Sequence, residues 1–319
     1  MPPDLPEYLD RLAQIQRGVL SARQAASGGL SKDQIRTLVR TGRWRPLHHG
    51  VYATFTGDPA REALLWAAVL RAGPGAVLSY ETAAELQRLA DWPSSKIHVT
   101  IPGNRRITAI SGAIVHHAMR AEQAGHPTDM PPRTRIEETV LDLAEVAATV
   151  EEACGWITRG VGRQLTTQKR LRRALERRKR MRFRSDIAEL LTDDFAGVHS
   201  ALEYRYVKWV EMPHGFPRGR RQARARRDGR NIYRDVLYDD YNLIVELDGR
   251  AAHPGDTRWK DIRRDNAAAA SGKMTLRYGW HDLRSPCLVA DEVYRALRRA
   301  GPVSAKPCSP GCPVARTSP

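Results

Sequence analysis

No stretch of this sequence strings together the roughly 18 apolar residues that a membrane-crossing helix needs. Nor does any basic segment come with a bulky aromatic face or a lipid-anchor motif. A membrane partner is therefore not expected. Cysteine is scarce, four in 319 residues, which argues against a disulfide scaffold and agrees with a reducing compartment. The opening MPPDLPEYLDRLAQIQRG carries acids and lacks the apolar core of a secretory signal, so a cytoplasmic chain is expected. Acid is the other deficit: 36 Asp and Glu stand against 52 Lys and Arg, 52 − 36 = +16. An excess this large asks for a polyanion, and with membrane signals missing that polyanion is nucleic acid. Apolar residues at 41% and charged residues at 28% fit a globular chain. The length allows two or three domains with cores of their own.

Residues 1–57 read as a small helical unit closed by a hairpin. Leu12, Ile15 and Val19 have roughly helical spacing, Ser21 can cap a short second helix that Gly28-Gly29 breaks, and Ser31 can cap a third. The third helix puts Ile35, Leu38 and Val39 on one face and leaves Lys32, Arg36 and Arg40 largely outside it. Gly42 stops it, and Trp44–Pro46 with Gly50-Val51-Tyr52 suggests two strands around a tight turn. This is the order of a winged helix-turn-helix, whose third helix enters the major groove. A small bundle with a solvated basic face has the same spacing.

The phrases Gly18-Val19-Leu20-Ser21, Arg40-Thr-Gly42-Arg-Trp44 and Gly50-Val51-Tyr52 resemble the N-terminal domain of AbiEi-type antitoxins of type IV toxin-antitoxin systems. The resemblance implies winged-helix DNA binding, with Lys32, Arg36, Arg40 and Arg43 as contacts, and raises the question of a cognate toxin.

Residues 58–195 read as an α/β middle domain. Helices are expected over 60–72, 80–89 and 135–148, and strands over 96–101 and 114–116. This section too is similar to AbiEi-like chains, in Val77-Leu78-Ser79 and Thr139–Ala144. His116-His117 invites a metal reading, but neighbours in a strand face opposite ways, so a surface or half-buried pair is expected. Residues 159–184 hold twelve Lys or Arg and one acid, Glu176. They are expected to form a basic linker, either merely solvated or gripping phosphates.

The strongest chemical signal lies in 196–300. Ser200-Ala-Leu-Glu203 opens a helix, and residues 220–226, 231–238 and 241–248 are expected to form a three-strand meander. Glu246 and Asp248 share a strand face, and Asp235 on the neighbouring strand can come opposite them. Carboxylates gathered this way need a positive charge between them, and hard oxygen ligands suit Mg²⁺ or Mn²⁺. The plain alternative is ion pairing with Arg234, Arg250 or Arg264. Glu203 can add a ligand from its helix. Arg220, Arg221 and Arg224 lie beside the site as backbone grips.

The order Ser-x-x-Glu, strand Asp, Val-Glu-Leu-Asp-Gly, His and Asp-x-x-Arg-Asp-Asn resembles a family of endonuclease-like domains of unknown function. That family is related to very-short-patch-repair endonucleases of the PD-(D/E)XK fold. The resemblance implies a restriction-endonuclease-like α/β domain with a mixed central sheet. It also implies a metal site of Asp235, Glu246 and Asp248, and catalytic roles for Glu203, Asp235, Glu246, Asp248, His253 and Arg264. The superfamily's usual lysine is here Asp248, which leaves His253 as the best general base. The tail, 301–319, is rich in Pro and Ser and is expected to be disordered. Cys308-x-x-x-Cys312 has no second ligand pair nearby, so a metal site there is not expected. The sequence thus supports an α/β multidomain protein that binds DNA, either as a Mg²⁺-dependent endonuclease or as an antitoxin-like regulator with an inactive nuclease fold.

Overall fold

Serine followed three residues on by glutamine occurs twice near the N-terminus, and each copy starts a helix. After α1 (Glu7–Ile15), Ser21 opens α2 (Ala22–Ser27) and Ser31 opens α3 (Lys32–Arg40). Each serine hydroxyl accepts from the N–H of Gln24 or Gln34, and each glutamine oxygen accepts in return from the serine N–H. The computed structural model describes residues 5–119, 121–192, 200–227, 230–247, 266, 268–279 and 281–316.

The hairpin is present as β2 (Arg45–His48) and β3 (Val51–Ala53). One strand more is present than expected. The helical stripe drawn through Leu12, Ile15 and Val19 is corrected: Arg17 and Gly18 take positive φ (55° and 77°), the helix ends at Ile15, and Val19–Ser21 forms β1. Pairing with β3 buries Val19 fully, and the sheet order is β1-β3-β2. The buried residues of α1 are Leu9 and Ala13, and Ile15 is exposed.

A boundary at 57/58 is also not what the packing gives. Helix α4 (Arg61–Ala72) sets Ala63, Trp66 and Ala67 against Val19 and Val51. Its Leu65, Ala68 and Val69 pack with Leu78, Val99 and Ile101 of a second sheet, β4 (Val77–Leu78), β5 (Ile97–Pro102) and β6 (Ala113–Ala118). One helix serving two sheets fuses them, and with α5 (Tyr80–Leu86), α6 (Ala121–Ala124) and the start of α7 (Ile136–Val146) they form one unit, Met1–Leu143.

The second unit, Ala144–Pro319, begins with α8 (Val150–Gly162), α9 (Gln168–Glu176) and α10 (Arg184–Leu190). The basic stretch is therefore not a linker. Thr167 caps α9, and Leu171, Ala174 and Leu175 are buried. Arg182 donates to Ala147 O and Ala148 O, and Arg184 to Leu175 O and Arg178 O, so several of these cations hold chain ends rather than solvent. Helix α11 (Ala201–Tyr206) continues through a π-helical turn, Val207–Glu211, into α12 (Met212–His214). Arg205 meets Glu151 at 3.0 Å and Lys208 meets Asp186 at 2.9 Å, which ties α8 and α10 to this helix across the expected 195/196 boundary.

The meander is observed as β7 (Arg220–Arg227), β8 (Arg230–Tyr238) and β9 (Leu243–Leu247), with β10 (Met274–Tyr278) parallel to β9. The order is β10-β9-β8-β7, a mixed sheet. Helix α13 (Pro286–Ala300) packs Val293, Tyr294 and Leu297 into a core shared with Tyr206, Val210, Val236 and Val245. The tail, expected to be disordered, instead belongs to this core through Cys312 and Val314, both buried.

Inside that core lies a polar staple. Glu211 and Arg221 form an ion pair with side chains 5% and 4% exposed, and Tyr238 donates to Glu211 at 2.8 Å while sharing a hydroxyl contact of 3.0 Å with Tyr206. Gly219 also donates to Glu211, and a Cβ on Gly219 would lie 2.3 Å from Val236, so only glycine allows β7 this close. Removing one partner of a buried pair strands the other charge at a cost of about 3–5 kcal/mol. Arg221→Met is therefore expected to lower stability by about that amount in urea unfolding. Arg221→Met combined with Glu211→Gln should recover part of the loss, and a single-variant loss below about 1 kcal/mol would show that the pair is not a staple.

Candidate functional site

Two surfaces carry the chemistry expected from sequence. On α3, Ile35 is buried and Leu38 and Val39 pack against the core of Leu9, Leu20 and Trp44, and Lys32, Arg36 and Arg40 form an i, i+4, i+8 row along the flank of that apolar stripe. All three are exposed, as is Arg43 in the following turn. Arg36 meets Asp33 at 2.8 Å, but both side chains are largely in solvent, where such a pair contributes little. Among the described residues Lys32, Arg40 and Arg43 have no acidic partner. Arg45 on β2 meets Asp58 at 3.0 Å. The helix thus offers a cationic stripe with its charges available to an anion.

In the second unit the carboxylates are placed less simply. Ser200 caps α11 by accepting from the N–H of Glu203, and Glu203 is 4% exposed. Its Oε1 accepts from Gln222 Nε2 at 3.1 Å, and the same amide reaches Asp235 Oδ1 at 3.4 Å. Gln222 stands in β7 with φ 45°, between the paired residues Arg221↔Val236 and Ala223↔Arg234. Asp235 Oδ2 accepts from the N–H of Leu247 at 2.7 Å, at the end of β9. Glu203 and Asp235 are therefore brought together through a glutamine that sequence reasoning did not single out.

Glu246 faces elsewhere. It meets Arg234 at 2.9 Å with both side chains under 10% exposed, so its charge is neutralised inside the protein. Among the described residues Glu203, Asp235 and Glu246 do not form a group close enough to share an ion. Asp248, His253 and Arg264 lie outside the described residues. Of the arginines expected at phosphates, Arg220 is exposed and held by Asp239 through two bonds of 2.8 and 2.9 Å, and Arg224 is exposed. Arg221 is corrected: buried against Glu211, it has no surface to present to DNA.

A third cluster was only half legible. His117 is exposed and His116 half-buried, the opposite facing that a strand imposes. His116 Nε2 lies 3.0 Å from His98 Nδ1, and its ring stacks on Tyr80 with centroids 4.0 Å apart. Glu81 Oε2 is 3.1 Å from His98 Nδ1. Tyr80 has φ 47°, an unusual backbone for a bulky residue, where α5 begins. Burial first, then the neighbouring His98 and His117, push the His116 imidazole down to about 4 in spite of Glu81.

Comparison with known proteins bears on the first surface. Residues 7–54 match the family model described as a transcriptional regulator, AbiEi antitoxin. No curated protein matches the chain. Among solved structures, the RV2827C protein from Mycobacterium tuberculosis matches with a TM-score of 0.39 and 16% identity, over 64% of this chain and 81% of that one. The family match spans α1 to β3, the part of the chain that holds the cationic stripe.

The histidine pair gives the first unit a pH response. His98 is lowered as well, by burial, with Glu81 opposing. The unfolded chain takes up protons as pH falls through about 6.5, and folded His116 refuses its proton until about 4. Stability is thus full above about 6.5 and is lost on acidification between the two values. His116→Gln is expected to flatten that loss by on the order of 1 kcal/mol, after allowing for solvent around a half-exposed ring, in unfolding series from pH 7 to 4. Parallel curves for the two proteins would exclude this source.

Proposed function

We propose that this protein is a sequence-reading DNA-binding regulator of AbiEi type, whose N-terminal 57 residues act as a winged helix-turn-helix. The observation that carries the reading is the exposed cationic row Lys32, Arg36 and Arg40 along α3, beside its packed stripe of Ile35, Leu38 and Val39, with Lys32, Arg40 and Arg43 unpaired among the described residues. In this reading α3 enters the major groove, where Arg and Lys read base edges, and the β2–β3 hairpin lies beside it as the wing. The family match at 7–54 supports the same role and brings a cognate toxin into question as a second partner. The exposed cations of the α9 region, Lys169, Arg173, Lys179 and Arg180, add affinity without sequence reading.

Selection from a randomised duplex pool, followed by binding at several salt concentrations, tests this. Wild type is expected to enrich a preferred site, and the logarithm of affinity should fall steeply and linearly with that of salt. Arg40→Glu should lower affinity for the enriched site about tenfold or more, while its loss on unrelated duplex stays smaller. Equal losses on both would reduce α3 to a phosphate contact, and no enrichment by wild type would overturn the reading.

A second reading keeps the nuclease. The observation in its favour is the pair Glu203 and Asp235, both held by the Gln222 amide beside a mixed sheet. In that reading Asp235, Glu246 and Asp248 bind Mg²⁺ or Mn²⁺, and His253 and Arg264 assist hydrolysis of a DNA phosphodiester. The Arg234–Glu246 pair weighs against it, because Glu246 must leave a buried arginine to reach a metal. Plasmid nicking, compared with and without added Mg²⁺ or Mn²⁺, decides. Cleavage lost by at least a hundredfold in Asp235→Asn, with folding intact, would establish it, and no cleavage by wild type would leave the regulator.

A further inference from the structure

His214 is fully buried, and its ring is oriented by the backbone: Nδ1 donates to Val210 O at 2.7 Å. That bond fixes the tautomer and leaves the lone pair on Nε2, which is buried and has no hydrogen-bond partner. A stranded buried acceptor of this kind is destabilising unless something occupies it. What surrounds it is three thiols. Cys287 stands in the first turn of α13, and Cys308 and Cys312 lie in the C-terminal segment. The four ligand atoms all lie within 4.8 Å of one another, and the Cys287 and Cys308 sulfurs are 3.3 Å apart.

We propose that His214, Cys287, Cys308 and Cys312 form a closed Cys₃His site for a structural Zn²⁺ ion. The ligand count, the softness of the donors and the spacing agree. Zinc takes four such ligands in a tetrahedron, with Zn–S near 2.3 Å and Zn–N near 2.0–2.1 Å, which sets ligand atoms about 3.5–3.8 Å apart. A donated N–H from the other ring nitrogen is the usual support for a histidine on zinc, and here Val210 O receives it. With all four positions supplied by protein, no site is left for water or substrate, so the ion is structural.

The elements around the cluster are shaped to hold it. Gly215 takes φ 67° directly after His214 and turns the chain away. Lys306 N donates to His214 O at 2.9 Å, which fixes the C-terminal segment against the histidine. Cys312 N donates to Ser309 O at 3.0 Å, so Cys308 and Cys312 sit at the two ends of one tight turn. A Cys287–Cys308 disulfide is the competing chemistry. It would leave His214 Nε2 stranded and the Cys312 thiol buried without use. Zinc satisfies all four groups, binding with loss of protons from the three thiols.

Elemental analysis of the full chain, purified without chelator, tests the proposal together with intact mass before and after reduction. The expected result is about one zinc per chain, equal masses in both states, and a fall in melting temperature when the metal is stripped. Metal-stripped, reduced wild type titrated with Co²⁺ should develop tetrahedral visible bands and thiolate charge-transfer absorption that saturate at one equivalent and are displaced by Zn²⁺. Cys308→Ser and His214→Gln should each weaken metal affinity at least a hundredfold, whereas Cys154→Ser should keep it. The Co²⁺ titration uses wild type, so a variant that fails to fold does not blunt the test. Absence of zinc together with no Co²⁺ spectrum from the stripped chain, or a Cys287–Cys308 disulfide in the purified protein, would overturn the site.

Discussion

The Glu211–Arg221 pair is the constraint on which the second unit turns. Two charges with almost no exposure stand in a core of tyrosines and aliphatic side chains. Taking them out of water costs several kcal/mol per ion, repaid only when both are saturated with hydrogen bonds. Glu211 meets that condition with Arg221, Tyr238 and Gly219 around one carboxylate. The consequence is geometric, because helix, β7 and β8 are held at a single point. Next along β7, Gln222 is turned into the left-handed region with its amide towards Glu203 and Asp235. On the helix side, His214 follows one turn later and faces the three thiols. The carboxylate pair and the thiol cluster thus both hang from one buried ion pair.

Local signals in the sequence carried local structure well. The Ser21 and Ser31 caps, the glycines that stop helices and the alternating strands at 96–101, 220–227 and 230–247 are legible because each depends on bonds within a few residues. What failed depended on distant partners. Val19 reads as helical until β3 is available to pair with it. The 57/58 boundary disappears because α4 serves two sheets, and the expected linker becomes helices because its leucines find a core. In the candidate site, strand parity offered Asp235 to Glu246. Asp235 instead accepts from Gln222 and from the Leu247 N–H, and Glu246 meets Arg234, the plain ion pair that the sequence also allowed. The zinc ligands escaped for the same reason, since a Cys-x₃-Cys pair in the tail names only half of its own site.

Net charge overstates what is available to DNA. Arg221 and Arg234 are neutralised by buried acids, Arg220 pairs with Asp239 at the surface, and Arg182 and Arg184 are tied to backbone carbonyls. The two buried arginines present no charge to a polyanion. Among the described residues, exposed cations without an acidic partner include Lys32, Arg40 and Arg43 on α3 and its following turn, and Lys169, Arg173, Lys179 and Arg180 around α9. In the regulator reading base contacts fall to the first group, which lies in the family-matched segment, and the α9 cations grip phosphates.

The two metal readings of the second unit also interact. Carboxylates select hard cations such as Mg²⁺, and thiolates with imidazole select zinc, so the two sites do not compete for one ion. A chelator does not make that distinction. EDTA added to a cleavage reaction removes Mg²⁺ and, given time, zinc from a site that joins α12, α13 and the C-terminal segment. Activity lost in EDTA would then follow equally from an emptied active site and from a loosened core. Omitting Mg²⁺ while leaving zinc in place separates the two, since only a hard-cation site responds to it. A chain that kept its melting temperature without Mg²⁺ and lost it with a zinc chelator would owe its fold to the thiols, and any dependence on Mg²⁺ would then belong to chemistry.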